Sequence, residues 1–237
     1  MSEALLQYRV VEGVATIHLD DGKANALSYE MIAALSGAIQ RAESEARAAV
    51  ILGRPGKFCA GFDLKVMQQS ISAAADLLTE GGALYVQMLR CKIPLLSACT
   101  GHALAGGALL LLASDYSIGV EGGFKLGLNE VHIGLPLPLL ALELTRHKLD
   151  PRRLNEATLF GTLYPPKEAQ RVGYLNETCA PEQFEALVQE RAAAMAQIDT
   201  TAFYETKRRL WDGLATQIED TLTSDLDAIR ALGGATS

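Results

Sequence analysis

Residues 101–108 read Gly-His-Ala-Leu-Ala-Gly-Gly-Ala and lie between two apolar runs. The run before them, Leu95–Cys99, predicts a buried strand, and Ala108–Ala113 after them predicts a short apolar helix. We therefore interpret Gly101–Gly107 as a glycine-rich turn that opens a helix. Glycine lets a backbone approach a ligand closely, and the free N–H groups at a helix start attract negative charge. Such a turn can supply the donors of an oxyanion hole.

A second glycine-containing turn has the sequence Lys57-Phe58-Cys59-Ala60-Gly61-Phe62-Asp63-Leu64. It follows the apolar run Ala48–Leu52, which predicts another buried strand. Taken alone, either turn could simply reverse the chain. Residues 101–106 also lack the spacing of the nucleotide-binding fingerprints, so the sequence does not favour a pyrophosphate site.

A third segment, Gly127-Leu128-Asn129-Glu130-Val131-His132-Ile133-Gly134-Leu135-Pro136, places one carboxylate among apolar residues. Desolvation raises the pKa of a carboxyl group in such surroundings, which suits a group that takes and then returns a proton. A capping or ion-paired role for Glu130 would fit the same segment.

Strands and helices alternate around these segments. Tyr8–Val11 and Ala15–Leu19 predict a hairpin, Ser28 is placed to cap the next helix, and Asp115–Val120 predicts a further strand. After Pro136 the pattern is helical, with segments near 138–148, 151–159, 167–172, 181–196 and 200–230. This is an α/β protein, built either from stacked β-β-α turns or as a doubly wound sheet. A boundary near residue 195 separates regions 1–195 and 196–237.

Composition narrows the class of protein. The 237 residues carry 21 Lys and Arg against 28 Asp and Glu, a net charge of −7 that does not favour nucleic acid as a partner. The amino terminus shows no secretory signal, and the apolar stretch Ala103–Ala113 is too short for a membrane span. The four Cys and four His form no metal-binding or redox pattern. We expect a globular cytoplasmic protein with no metal and no membrane partner.

Together the motifs resemble the crotonase superfamily, the enoyl-CoA hydratases and isomerases. The matching residues are Asn25-Ala26-Leu27, Phe58–Leu64, Gly101–Ala108, Asp115 and Leu128–Pro136. The resemblance covers residues 8–175 and implies a crotonase-like spiral of β-β-α turns. It makes 1–195 the spiral core and 196–237 a helical C-terminal region used for trimerisation. The implied assembly is a homotrimer or a dimer of trimers.

The resemblance also implies an acyl-CoA thioester as substrate, with coenzyme A as part of that substrate and no separate cofactor. The backbone N–H groups of Ala60 and Gly106 would hold the thioester oxygen, and Glu130 would be the catalytic acid and base. Lys65 and Lys207 would contact the CoA phosphates. The full set of expected substrate and CoA contacts is Phe58, Cys59, Gly61, Asp63, Leu64, Lys65, Gly107, Leu109, Leu135 and Lys207. Asp63 is also placed to cap the following helix.

One departure from the family pattern bears on the reaction. Hydratases of the family use a second glutamate, which falls on Leu109 here, and leucine can neither activate water nor move a proton. The sequence therefore most resembles the Δ3,Δ2-enoyl-CoA isomerases of fatty-acid metabolism, which carry a lone glutamate. One alternative is an enoyl-CoA hydratase, a lyase, that recruits its second carboxylate from elsewhere, for instance Glu80 or Glu121. Others are a further crotonase reaction such as thioester hydrolysis, or a non-catalytic acyl-CoA-binding protein.

Overall fold

The computed structural model describes residues 5–234, which form nine strands and nine α-helices. The strands are β1 Leu6–Val11, β2 Val14–Leu19, β3 Ala48–Leu52, β4 Gly56–Cys59, β5 Leu95–Cys99, β6 Gly101–Leu104, β7 Tyr116–Val120, β8 Leu126–Gly127 and β9 Glu177–Cys179. The helices are α1 Tyr29–Glu45, α2 Leu64–Met67, α3 Ile71–Arg90, α4 Gly106–Ala113, α5 Leu139–Lys148, α6 Leu154–Thr158, α7 Pro166–Val172, α8 Pro181–Ala196 and α9 Thr200–Gly234. Short 3-10 helices cover Glu130–Ile133 and Pro151–Arg153.

The strands form two sheets. The larger has the order β1-β2-β3-β5-β7-β9 and is parallel except for the β1–β2 hairpin, and the smaller has the parallel order β4-β6-β8. Three successive strand pairs, β3–β4, β5–β6 and β7–β8, each give their first strand to the larger sheet and their second to the smaller one. A helix follows each pair. The fold is therefore the spiral of β-β-α turns that the resemblance implies, and not a doubly wound sheet.

The smaller sheet brings the three sequence motifs together. Cys59 pairs with Ala103, and Leu104 pairs with Gly127, so the three strands end next to one another. The carboxyl ends of parallel strands share one edge of a sheet, where ligands commonly bind. The loops that leave this edge begin at Ala60, Ala105 and Leu128.

Most of the expected elements are confirmed. The hairpin forms, Ser28 caps α1 by accepting a hydrogen bond from the N–H of Met31, and the strands at 48–52 and 95–99 have the expected bounds. The glycine-rich turn is shorter than expected, because residues 101–104 pair with both neighbours as β6. Gly56–Cys59 likewise forms a strand, so that both predicted turns start later.

Helix α3 and strands β8 and β9 were also not predicted. Ser70 caps the start of α3, where its hydroxyl accepts a hydrogen bond from the N–H of Ala73 at 3.0 Å. Gly81 and Gly82 in its centre weaken the helical pattern, since glycine is a poor helix former. Strand β9 has only three residues, too few for a period to show.

Helix α3 lies between Phe62, in the loop after β4, and α9. A Cβ atom on Gly81 would lie 2.4 Å from the Phe62 ring, and one on Gly82 would lie 2.8 Å from the Leu222 side chain. Arg90 at the end of α3 forms ion pairs with Asp212 at 3.0 Å and Glu219 at 2.6 Å. The division into 1–195 and 196–237 stays a prediction, and residues 1–4 and 235–237 of it lie outside the described residues. Within 5–234, no helix combines the length and apolar character that crossing a bilayer requires.

Asn25 fixes the loop that leads into the first motif. The residue is fully buried with a φ of +54°, and its Nδ2 donates to the carbonyl oxygens of Leu19 at 3.0 Å and Phe58 at 3.1 Å. Its Oδ1 accepts a hydrogen bond from the N–H of Asp21 at 3.1 Å. One side chain thus joins the ends of β2 and β4.

We predict that Asn25→Ala lowers the free energy of unfolding by about 3 kcal/mol, because it leaves several buried backbone groups without partners. Urea denaturation of both proteins measures this difference. Asn155→Ala, on the exposed surface of α6, is the matched control. A loss no larger than that of the control would show that these hydrogen bonds are not needed.

Candidate active site

A cavity of about 600 Å³ opens at the carboxyl edge of the smaller sheet. Five of the expected site residues line it, namely Ala60, Leu64, Leu109, Glu130 and Leu135. The other lining residues were not expected as site residues from the sequence; they are Phe62, Met67, Ile71, Ala74, Ala75, Leu78, Leu104, Ala105, Asn129, Ile133, Gly134, Pro136 and Pro138. Four of them lie on α3 at positions 71, 74, 75 and 78, the spacing of one helix face, which is the signal that could have revealed them.

Glu130 is the only lining residue in the described chain with an ionisable side chain. Its Oε2 atom is buried without a hydrogen-bond partner. Burial raises the pKa of this carboxyl group to about 7, and hydrogen bonds from the backbone of Glu130 and Asn129 oppose that rise only in part. The carboxyl group is therefore balanced between its two protonation states near neutral pH, as a general acid and base should be.

The described part of the cavity wall holds no second carboxylate. Leu109, on α4, contributes an apolar side chain. Glu80 and Glu121, the alternatives for a second catalytic carboxylate, do not line the cavity. Glu121 forms an ion pair with Lys167 at 3.0 Å. Within residues 5–234 no group of three or more His, Cys, Asp and Glu side chains is arranged to hold a metal ion.

The structure brings the two expected oxyanion turns into contact. Gly61 has a φ of +92°, and a Cβ atom on it would lie 3.2 Å from the Gly106 nitrogen. The Gly106 N–H is the first of α4, so it has no acceptor within the helix. The Tyr85 hydroxyl donates to the Gly106 carbonyl oxygen, which belongs to the following peptide group, at 2.9 Å.

The Ala60 amide differs from the expected arrangement. Ala60 lines the cavity, but its N–H donates to the carbonyl oxygen of Ala24 at 3.0 Å. The two amides named from sequence are thus not equivalent, because Ala60 already has an acceptor. A contact between two loops of the main chain leaves no trace in the pattern of side chains, which is why the sequence did not predict it.

Ala105 holds the backbone in a strained conformation just before Gly106. Its φ is +50° and its ψ is −123°, a combination that glycine adopts far more easily than alanine. Its N–H donates to the Gly127 carbonyl oxygen at 2.9 Å, and its own carbonyl oxygen accepts from the N–H of Ala108 at 2.9 Å. These bonds fix the direction in which the Gly106 N–H points.

Several expected contacts lie outside the cavity lining. Phe58, Cys59 and Gly107 are enclosed in the core, and burial raises the pKa of the Cys59 thiol to about 12. Asp63 caps α2 as expected, accepting a hydrogen bond from the N–H of Lys65 at 2.9 Å. The Lys65 side chain is exposed, and the residue before it, Leu64, lines the cavity.

The structure places the Lys207 side chain in a buried ion pair. Its side chain is 3% exposed, and its Nζ lies 2.8 Å from Oδ2 of Asp115. That oxygen also accepts a hydrogen bond from the N–H of Leu95 at 2.8 Å. The ammonium group therefore neutralises a largely buried carboxylate where α4 gives way to β7, and it does not line the cavity.

The raised pKa of Glu130 predicts how its replacement changes stability. The pKa of this carboxyl group is about 7 in the fold, above its ordinary value of 4.5, so the folded state favours the protonated carboxyl. The contribution of the protonated Glu130 to the free energy of unfolding is complete below about pH 4.5 and is lost as the pH rises through 7. The loss at high pH is roughly 3 kcal/mol.

We predict that Glu130→Gln becomes more stable relative to wild type as the pH rises from about 5 to about 8. Urea denaturation at both pH values measures the difference in unfolding free energy. Glu80→Gln, on α3 outside the cavity lining, is the control. A difference for Glu130→Gln that stays constant with pH would contradict a desolvated carboxyl group.

Known proteins share both the sequence pattern and the fold. A family model described as enoyl-CoA hydratase/isomerase matches residues 9–233. Human mitochondrial enoyl-CoA delta isomerase 1 is 27% identical over 219 residues, which cover 90% of this chain and 72% of the relative. A probable enoyl-CoA hydratase of Rhodobacter capsulatus is 30% identical over 217 residues, which cover 91% and 84%.

A solved structure agrees with these matches. An enoyl-CoA hydratase/isomerase family protein from Pseudomonas syringae is 36% identical, with a TM-score of 0.89 over 96% of this chain and 97% of that one. The family match spans the smaller sheet, the cavity and α9. The chain therefore belongs to the enoyl-CoA hydratase/isomerase family of the crotonase superfamily.

Proposed function

We propose that this protein is a Δ3,Δ2-enoyl-CoA isomerase in which Glu130 is the single acid and base. The observation that carries the proposal is the isolation of Glu130. It is the one ionisable side chain among the described lining residues, in a cavity otherwise formed by apolar side chains, Asn129 and backbone. One carboxylate is sufficient to move a proton between two carbons of one substrate, whereas adding water requires a further group to activate it.

The proposed reaction moves one proton and shifts one double bond. The Glu130 carboxylate removes a proton from C2 of a 3-enoyl thioester, and the electron pair of the broken C–H bond moves into a dienolate whose negative charge rests on the thioester oxygen. The carboxylic acid then gives the proton to C4, and the double bond lies between C2 and C3. A pKa near 7 suits both steps, because the group must accept and release the proton with similar ease.

Two backbone amides are proposed to stabilise the negative thioester oxygen. Gly106 supplies the N–H at the start of α4, and its strained neighbour Ala105 fixes the direction of that bond. Ala60 would share its hydrogen atom between the Ala24 carbonyl oxygen and the thioester oxygen, a three-centre bond of a kind common at helix ends. Each such donor typically contributes about 3 kcal/mol to transition-state stabilisation.

Hydration is the second candidate, favoured by the relative from Rhodobacter capsulatus that is named a probable hydratase. Leu109 argues against hydration, because its apolar side chain lines the cavity at the position of the family's second glutamate. We also propose a homotrimer or a dimer of trimers, and a role in fatty-acid breakdown. All four cysteines are free and buried, which supports a reducing compartment such as the cytoplasm, while the human relative is mitochondrial.

We predict that Glu130→Gln lowers kcat on 3-hexenoyl-CoA by about 10²–10⁴-fold with little change in KM, because glutamine can neither take nor give the proton. The assay measures product as the 2-enoyl double bond that forms. Glu80→Gln is the control. Turnover near that of wild type would remove Glu130 from the mechanism. Wild-type protein that hydrates crotonyl-CoA and leaves 3-hexenoyl-CoA unchanged would establish the hydratase instead.

The two lysines give a paired prediction. We expect Lys65→Ala to raise KM for acyl-CoA about fivefold, since an exposed phosphate contact is worth about 1 kcal/mol. Lys207→Met should leave KM unchanged but lower the free energy of unfolding by about 3–5 kcal/mol, because Asp115 stays buried without its partner. Steady-state kinetics and urea denaturation of both variants measure these effects. A raised KM with normal stability for Lys207→Met would restore Lys207 as a phosphate contact.

A further inference from the structure

Helix α4 begins with two residues that restrict the backbone very little. They are Gly106 and Gly107, and glycine leaves the torsion angles freer than any other residue does. The first turn of a helix also frays more easily than its interior. The direction of the Gly106 N–H therefore depends on contacts from outside α4.

Close packing leaves little room for a side chain at either glycine. A Cβ atom on Gly107 would lie 2.2 Å from the carbonyl oxygen of Cys59 in β4. A Cβ atom on Gly106 would lie 3.0 Å from the Tyr85 hydroxyl oxygen and 3.0 Å from the Phe62 ring. A bulkier residue cannot stiffen this helix start, so the restraint has to come from a neighbouring element.

Tyr85 of α3 supplies such a restraint. Its side chain is fully buried, and its hydroxyl donates to the Gly106 carbonyl oxygen at 2.9 Å. Its ring packs edge-on against the ring of Phe62, with centroids 6.5 Å apart and an interplanar angle of 80°. Burial raises the pKa of the Tyr85 hydroxyl well above its ordinary value, so the group remains a donor at neutral pH.

The carbonyl that Tyr85 binds and the N–H of Gly106 belong to successive peptide groups. These two planar groups share the Cα atom of Gly106, so the φ and ψ angles of that residue set their relative orientation. The group that carries the N–H also carries the Ala105 carbonyl oxygen, which accepts hydrogen bonds from Ala108 and Leu109 at 2.9 and 3.1 Å. Both of these donors lie in α4 itself and move with it. The Tyr85 hydrogen bond ties the same turn to α3.

We propose that Tyr85 is a positioning residue for the oxyanion donor, because its hydroxyl ties the first turn of α4 to α3 and so fixes the direction of the Gly106 N–H. The inference rests on the proposed function, in which this N–H stabilises the negative thioester oxygen. Tyr85 is not among the residues that line the cavity, so it acts through Gly106 and not on the substrate. An oxyanion donor must lie about 2.7–3.1 Å from the oxygen in the transition state, and a small misplacement lowers the rate.

Tyr85→Phe tests the proposal, because it removes the hydroxyl and keeps the ring. We expect kcat for 3-hexenoyl-CoA to fall about tenfold while KM changes by less than about twofold, since the negative charge on the thioester oxygen develops in the transition state. Tyr116→Phe is the control, because that hydroxyl bonds Glu177 at 3.2 Å and Tyr116 does not line the cavity. A kcat for Tyr85→Phe equal to that of the control would overturn the proposal.

A second measurement does not depend on turnover. The sequence contains two Ala-Gly dipeptides, Ala60-Gly61 and Ala105-Gly106. Protein labelled with ¹³C-carbonyl alanine and ¹⁵N-glycine therefore gives two carbonyl-correlated amide signals in NMR spectra, one from Gly106 and one from Gly61, which is the internal control. Ala60→Ser removes the Gly61 signal and so assigns both.

We expect the ¹⁵N order parameter of Gly106 to fall in Tyr85→Phe from about 0.85, the value of rigid backbone, to about 0.6, while that of Gly61 stays the same. If both order parameters keep their wild-type values, the Tyr85 hydroxyl does not hold Gly106 and the proposal is overturned. If wild-type protein does not isomerise 3-enoyl-CoA, the proposed function fails, and the NMR measurement alone still decides whether Tyr85 fixes the Gly106 amide.

Discussion

The parallel pairing of β4, β6 and β8 is the constraint on which the site depends. These strands are short, and the last of them has two residues, yet their register sets three loops side by side. Each loop contributes one component of the candidate site, namely Ala60, the Gly106 amide and Glu130. Residues separated by seventy positions in the chain thus share one cavity. A shift of one residue in the pairing would turn side chains to the other face and separate these parts.

The site relies on one carboxyl group in apolar surroundings. Burial of Glu130 opposes its charge and so costs stability at neutral pH, while it places the pKa at about 7. Strain at Ala105 is a second local cost, and it is held by hydrogen bonds to the next strand and within α4. Both costs fall on residues that contact the cavity, which is where proteins commonly keep strained or desolvated groups.

The sequence predicted those features that depend on neighbours along the chain. Apolar runs marked the first strand of each turn, and Ser28 marked the start of α1. Features that depend on distant partners were missed: Lys207 lies ninety-two positions from Asp115, and the Ala60 amide bonds a carbonyl oxygen in another loop. The resemblance to a known family predicted the roles of Glu130 and Gly106. Family motifs do not show which backbone amide already donates to another acceptor. Helix α3 went unnoticed because its glycines interrupt the apolar pattern, although one face of it forms a wall of the cavity.

Gly81 and Gly82 leave space on two sides of α3. Because Gly81 and Gly82 have no side chains, Phe62 on one side and Leu222 on the other approach the same turn of helix. Phe62 lines the cavity, whereas Leu222 belongs to α9. A side chain at position 81 would therefore displace Phe62 from its place in the cavity wall, and one at position 82 would displace Leu222 of α9. The two glycines thus set how closely the cavity wall and the last helix can approach each other across α3.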